Sequence, residues 1–361
     1  MTHAGAIVAG VATPHALHLR ILDVPLTVLT NDADILARLR RYYAPYSDGI
    51  PSPTGTVVKL VQGRPPSLNG LTAISRPPGR SVKEAVREAA DGRLILQRRT
   101  GVLMALWPGH AAAVGDLRSH LNQAINLINT CWARAHLQDG FRLFHAAGVV
   151  RDDQAVLLAG PAGAGKSTGA LRLLEAGFRF LSNDRVLARA DADGVEVRGY
   201  PKQPRVNPGT LLHHPRLRTL LDRDERRRLR RQSPAALRAL EAKRDVDLEA
   251  VYGPGSVQLR GRLAGIVLLT WSWEGGPFAA APITAEAALA KRALFVKDLG
   301  VFDLAAPATG APGGDGRDYA ALLERAPIIA VTGRVDFDAL VGLVTGIVDR
   351  SRKVYPRVIV P

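Results

Sequence analysis

The chemistry in this chain concentrates where Gly160-Pro161-Ala162-Gly163-Ala164-Gly165-Lys166-Ser167 matches the pattern G-x-x-x-x-G-K-[ST]. Glycines let backbone amides turn inward around phosphate oxygens without a Cβ in the way. Lys166 is the residue type that reaches the β and γ phosphates, Ser167 offers a hydroxyl to Mg²⁺, and Thr168 continues the segment. A helix that begins near Lys166 aims the positive end of its dipole at the same anion. The match has the setting it needs: an apolar β run, Ala155–Ala159, leads in, and an amphipathic stretch with Leu171 and Leu174 leads out.

A phosphate loop of this kind needs an acid near its metal. The buried run Leu263–Leu269 ends in Thr270-Trp271 without one, and the acid stands instead at Asp184, eighteen residues after Lys166. That placement is not the GTPase arrangement, and no guanine-reading motif is evident.

These residues resemble the catalytic domain of the HPr kinase/phosphorylase family, closest to its HPr-kinase-related kinase B group. The resemblance rests on FHAAGVV with His145, on GPAGAGKS, and on EAGFRFLSND with Gly177, Asn183 and Asp184. His145 precedes Gly160 by fifteen residues, and Gly160 precedes Asp184 by twenty-four. It covers about Phe141–Pro208 closely and the remainder only in general layout. It implies an α/β fold with a P-loop kinase core of the PEP-carboxykinase-like type, ATP and Mg²⁺ as cofactors, and a hydroxyl acceptor, typically a serine. By position Ser167 and Asp184 fall on the metal side, and His145 lines the phosphate or acceptor pocket. Glu196, in VEVRG, is similar to a second metal-side acid. The family's acidic pair is Asp-Asp, whereas Asn183 here cannot accept a proton. Proton transfer then falls to Asp184 or His145, or the acceptor loses its proton late in a loose transition state. Reverse phosphorolysis is not expected. The alternative is a nucleotide-binding regulatory ATPase or switch without phosphotransfer.

Taken without the family, His145 beside Phe144 and Ala146 reads as a core histidine. Glu196 and Arg198 share one face of a period-2 strand, which suits a solvated face as well as a metal. Arg205 suits a phosphate clamp or an exposed loop equally, and Lys297, Asp298 and Arg334 lie near expected strand ends with no spacing argument for a role.

The elements that must position this chemistry divide at Gly140. Residues 1–140 read as a less regular α/β region: a strand Leu26–Thr30 opened by Pro25, a helix Ala33–Tyr43, and Pro- and Gly-rich loops and edge structure from Gly49 to Gly79. A hairpin of Leu94–Gln97 and Val102–Trp107 follows. Leu117, Leu121, Ile125, Ile128, Trp132 and Ala135 then form a helical core stripe, with Arg118, Asn122, Asn126 and Asn129 on its polar side. Residues 141–361 read as the P-loop domain. Its expected elements are strands Phe141–Val150 and Ala155–Ala159, a helix to Ala176, a strand Phe178–Leu181 and a hairpin of Val186–Ala190 with Val195–Arg198. A basic insertion over 210–253, whose arginine-rich segment reads as two helices with Ser233-Pro234 as N-cap and first turn of the second, a buried strand Leu263–Leu269, a mobile linker over 305–317, a strand Ile328–Thr332 and a helix Phe337–Asp349 complete it.

The 361 residues, 47% of them hydrophobic, supply ample core, which excludes a disordered or disulfide-stapled protein. The single cysteine, Cys131, closes no intramolecular disulfide and fits a reducing, cytoplasmic setting. No apolar run approaches the roughly 20 residues that span a bilayer, and no signal peptide is read at the start. The net charge of +15 comes from forty Arg and only eight Lys, and eight of those Arg lie between Arg216 and Arg231. Aromatic residues are 5% of the chain and do not interleave with the basic ones, which argues against nucleic acid as the main partner. The expected partner is a protein or small-molecule hydroxyl acceptor, acidic if the basic insertion docks it. The resemblance also implies self-association.

Overall fold

The computed structural model describes residues 3–47, 49, 55–74, 82–240, 242–306 and 317–354. Most of the linker expected to be mobile, 305–317, lies outside the described residues. The protein is mixed α/β and divides into two compact units: Met1–Gly140 with Asp298–Gly314, and Phe141–Lys297 with Asp315–Pro361.

The first unit holds β1 (His15–Ile21), β2 (Val24–Thr30), α1 (Ala33–Tyr43), β3 (Thr56–Gln62), β4 (Thr72–Ala73), β5 (Glu84–Glu88), β6 (Arg93–Gln97), β7 (Leu103–Trp107), β8 (His110–Gly115) and α2 (Leu121–Gln138). Its strands run β1-β2-β3-β8-β7-β6-β5-β4 in one sheet. Helix α1 starts where the sequence places it because Asp32 caps it, its Oδ1 accepting from the amides of Asp34 and Ile35 at 3.0 Å each. The Pro- and Gly-rich stretch hides a central strand: β3, the run TVVKLVQ, pairs in parallel with both β2 and β8. Asn129, expected on the polar side of α2, is buried and accepts from Tyr43 Oη at 2.7 Å. Arg93 explains why the segment from Asp298 clusters with this unit. Its buried guanidinium donates to the carbonyls of Val301, Asp303 and Ala306 at 2.8–2.9 Å, using the fork geometry of the side chain fully.

The second unit begins with β9 (Arg142–Phe144), β10 (Ala146–Arg151), β11 (Gln154–Ala159), α3 (Lys166–Glu175), β12 (Arg179–Ser182), β13 (Val186–Asp191) and β14 (Gly194–Gly199). The 210–253 region is helical, as expected of its arginine-rich segment. It carries α4 (Pro208–His213), α5 (Arg223–Arg230), α6 (Pro234–Ala239) and α7 (Leu248–Tyr252), tied by a small ribbon of β15 (Arg205–Val206) and β16 (Arg244–Asp245). Leu211, Leu217, Leu221, Leu229, Leu237 and Leu248 from this segment are buried in one cluster with Leu171 and Leu174 of α3. Burial of those leucines folds the segment down, and Arg227, Arg228, Arg230 and Arg231 are left exposed. After it come β17 (Arg260–Leu269), β18 (Ala279–Ile283), α8 (Ala285–Leu289), α9 (Arg317–Leu323), β19 (Ile328–Thr332) and α10 (Phe337–Val354). Among the described residues no helix is long and apolar enough to cross a membrane.

The sheet runs β12-β10-β11-β17-β14-β13-β9, and the far half of β17 pairs with β19 rather than β14. Strands β11, β17 and β19 are parallel, and β12, antiparallel to β10 as β11 is, points the same way. Their carboxyl ends therefore share one edge, where ligands gather in open α/β sheets. The strand expected over Phe141–Val150 breaks at His145: β9 pairs with β13, while β10 pairs with β11 and β12.

On one face of this sheet Phe144, Phe295 and Tyr319 form an aromatic group with ring centroids 5.1–6.2 Å apart. Tyr319 Oη donates to the Leu143 carbonyl at 2.8 Å and lies 3.4 Å from that of Lys297. Replacing Tyr319 by Phe removes one of the two donors to the Leu143 carbonyl, the Lys297 amide remaining, so the urea midpoint falls by the equivalent of about 0.5–1.5 kcal/mol; an unchanged midpoint removes this tie from the account.

Candidate functional site

The glycine-rich loop of residues 160–165 fills the corner between β11 and α3. Gly160 adopts φ +154°, and a Cβ there would lie 2.5 Å from the Leu269 carbonyl oxygen of β17, so only glycine fits. Gly165 caps α3 in the left-handed region at φ +83° and supplies no capping side chain, so the first amides of the helix have no oxygen from a cap. Two aromatic residues support the loop from below. Trp271 Nε1 donates to the Ala164 carbonyl at 2.8 Å, and Phe337, whose ring centroid lies 5.4 Å from that of Trp271, closes on Gly165. Pro161, Ala162 and Gly163 are exposed.

The Lys166 side chain lies back along the loop, Nζ donating to the carbonyls of Gly160 at 2.6 Å and Pro161 at 3.1 Å. Burial pushes its pKa down, the Asp184 carboxylate opposes that shift, and the Lys297 and Lys243 charges add to it. Thr168 Oγ1 is 3.1 Å from Thr210 Oγ1, which joins α3 to α4 rather than presenting the hydroxyl to the loop.

Asp184 follows β12 and meets His145 at the strand break. His145 Nε2 lies 3.1 Å from Asp184 Oδ1, Lys297 Nζ 3.6 Å from Oδ2, and Arg185 Nε 3.9 Å from Oδ2. Backbone bonds place these groups. The His145 amide donates to the Phe295 carbonyl at 2.6 Å, and the Lys297 amide donates to Leu143 at 3.1 Å. Burial alone would raise the Asp184 pKa. The His145 bond and the charges of Lys297, His145 and Arg185 override it and hold the carboxyl well below the ordinary range. Next to it Asn183 Oδ1 is buried with no hydrogen-bond partner among the described residues.

Glu196 does not join this group, and the expected metal-side role is corrected. It sits opposite Arg262, which sits opposite Gln154 at the start of β11. Gly160 lies six residues further on, about 20 Å along the strand. Glu196 is buried there and held by Arg260 at 2.7 Å, Arg198 at 2.8 Å and Arg189 at 3.5 Å. It is neither a solvated residue nor a neighbour of Ser167. The resemblance between VEVRG and a metal-side motif fails because the short hairpin β13–β14 carries this residue to the opposite edge.

Arg205 pairs with Asp245 across the β15–β16 ribbon at 3.4 Å, and its Nη2 donates to the Lys243 carbonyl at 3.1 Å. Asp298 belongs to the first unit. Reading the sequence left Lys297 without a role and passed over Arg185, Lys202 and Lys243. The charge of Lys202 acts on Arg185, Asp184, Asp245 and Arg205, and that of Lys243 acts on Lys166. One signal was available: Arg185 directly follows Asp184. Lys297 stands 113 residues beyond Asp184, and only the strand break brings it there. The whole gathers more cations than carboxylates at a glycine loop, an arrangement suited to a polyphosphate anion. Among the described residues no group of three or more His, Cys, Asp or Glu is placed to hold a metal.

No family model matches the chain, and no curated protein matches it. Among solved structures it is similar to the structure of the Hpr(Ser) kinase/phosphatase from Coxiella burnetii, with 11% identity and a TM-score of 0.30, over 59% of this chain and 97% of that one.

Because the folded chain holds Asp184 below its ordinary value of 3.8, the unfolded chain binds its proton first on acidification. The stability from this carboxylate is complete above the ordinary range and is lost as pH falls through the depressed folded value. The stability gap between wild type and Asp184→Asn therefore narrows from about pH 5 to about pH 2; a gap independent of pH in urea titrations contradicts this reading of Asp184.

Proposed function

We propose that this protein is an ATP-dependent kinase that transfers the γ-phosphoryl group to a hydroxyl, on a protein serine or a small molecule, with Mg²⁺. One juxtaposition carries the reading: Lys166 and Asp184, on different elements, act on each other across the edge where β11 and β12 end, with His145 and Lys297 on the same carboxylate. The residues fit the nucleotide. The α3 amides have no capping side chain, Gly165 leaves the helix end bare, and a Cβ on Gly163 would meet nothing within 4 Å. They also fit a single Mg²⁺, which takes one or two protein oxygens and fills its octahedron with phosphate and water. Ser167 and Asp184 would supply those oxygens, and the ion would neutralise charge on the phosphates.

Lys166 would exchange its loop carbonyls for the β and γ phosphate oxygens and stabilise charge on the group in flight. Lys297 and Arg185 would neutralise the equatorial oxygens from the acceptor side. Asp184 is held ionised and is a weak base, and Asn183 accepts no proton, so the acceptor hydroxyl would give up its proton late, to an oxygen of the phosphoryl group it receives, after the bond from that group to the leaving ADP oxygen has largely broken. Positioning and charge then supply the rate rather than a strong base. The exposed arginines of α5, Arg227 and Arg228 among them, would dock an acidic acceptor.

A second reading, nucleotide binding that switches conformation without transfer, draws support from Asn183 in the acid's place and from His145 and Lys297 on both Asp184 oxygens. Labelled γ-phosphate from ATP separates the two. For the kinase, label passes to a component of a cell extract, Lys166→Ala abolishes it, and Asp184→Asn lowers it by at least about a hundredfold. Nucleotide binding in calorimetry with no labelled acceptor supports the switch, and no binding at all excludes both.

A further inference from the structure

The stretch 200–210 is pinned to the site at both ends. At one end a Cβ on Gly199 would lie 1.9 Å from the Leu181 carbonyl oxygen, the Tyr200 amide donates to Ser182 Oγ at 3.2 Å, and Arg185 Nη1 donates to Tyr200 Oη at 3.2 Å. At the other end Thr210 Oγ1 lies 3.1 Å from that of Thr168, the residue after Ser167. Residues 201–209 therefore run from the neighbours of Asp184 to the first turn of α3. The stretch is also stiff. Pro201, Pro204 and Pro208 fix φ at three positions, the Lys202 amide donates back to the Tyr200 carbonyl at 2.7 Å, and the Pro204 carbonyl accepts from the Val246 amide at 3.0 Å.

Along this stretch and the ribbon it forms, the described residues bring more cations than carboxylates: Lys202, Arg205 and Lys243 against Asp245. Lys202 is half-buried, and burial pushes its pKa down; the charges of Arg185 and Arg205 add to that shift, and those of Asp245 and Asp184 oppose it. Arg205 is exposed and already oriented, by Asp245 at 3.4 Å and by the Lys243 carbonyl at 3.1 Å. Lys243 is exposed, and its charge reaches Lys166. A lysine held half-buried between two arginines is costly by itself, and an incoming anion offsets that cost. In the kinase reading the loop amides, Lys166 and Mg²⁺ take the phosphates of the nucleotide, which leaves the cations of 201–209 to the other reactant.

We infer that the acceptor is itself a phosphomonoester, its phosphate seated on Lys202 and Arg205 while its hydroxyl faces Asp184. The inference rests on the kinase reading above. Lys202 supplies a point charge and Arg205 a guanidinium whose orientation is set before the anion arrives. In the transfer the bond from the γ phosphorus to the ADP oxygen breaks and a bond from that phosphorus to the acceptor oxygen forms. The hydroxyl proton passes to an oxygen of the transferred group, and the phosphate on Lys202 is unchanged, so the products are ADP and a bisphosphorylated compound.

Calorimetry tests this on the full chain saturated with Mg²⁺ and the β,γ-imido analogue of ATP, titrated with inorganic phosphate. Wild type binds phosphate beside the bound nucleotide. Lys202→Met weakens that binding about tenfold or more, Lys202→Arg recovers most of it, and the nucleotide binds both variants within about twofold of wild type, which also shows them folded. No phosphate binding by nucleotide-saturated wild type, unchanged binding in Lys202→Met, or an equal loss of nucleotide overturns the inference and leaves the kinase reading standing. Wild type that binds no nucleotide overturns both. A cell extract stripped by immobilised alkaline phosphatase loses its capacity to accept label, and undiminished transfer overturns the inference equally. Passage of the labelled product of untreated extract through an ultrafiltration membrane distinguishes a small phosphorylated alcohol from a phosphoprotein.

Discussion

Asp184 is a carboxylate in a corner crowded with positive charge, and the arrangement of the site depends on it. Lys166, Lys297 and Arg185 would repel one another at that range if nothing lay between them. Burial works against an ionised carboxyl, yet the surrounding cations and the His145 bond hold it charged. The carboxylate and the cations are thus mutually stabilising.

The scaffold delivers these groups through backbone geometry. A single interruption at His145 sends β9 toward β13 and β10 toward β11, which turns the His145 ring toward Asp184. The same interruption lets the stretch before Asp298 run beside β9, so that Lys297 arrives from a distant part of the chain. Tyr319 and Phe295 lock that stretch from beneath. At the other side of the loop, Trp271 and Phe337 brace the glycines, whose freedom would otherwise leave the turn loose.

Charge elsewhere is used differently. Glu196 is buried at the far edge among Arg189, Arg198 and Arg260, an arrangement that offsets the desolvation of a lone carboxylate. The arginine-rich insertion owes its fold to leucines that reach the α3 core, while its charges remain in water. Basic composition therefore reports at least three environments: a cradle, a buried ion-pair knot and a solvated helix.

Local signals were enough wherever one residue fixes the backbone. Asp32 starts α1, Ser233 accepts from Ala236 at the start of α6 with Pro234 behind it, and the glycines of 160–165 form the turn between β11 and α3. Those positions depend on capping atoms and φ values that neighbours in sequence supply. The sequence could not announce β3, whose flanks carry turn residues, nor the burial of Asn129, which needs Tyr43 from another helix. It placed Glu196 with the metal because a motif carries no register, whereas strand pairing determines which edge a side chain reaches. By itself the chain determined the glycine turn between β11 and α3, the acid that follows it and most helix boundaries, since these rest on contacts within a few residues. Tertiary structure alone decided which charges share the corner with Asp184, because Coulomb and hydrogen-bond energies depend on distances that only the assembled sheet defines.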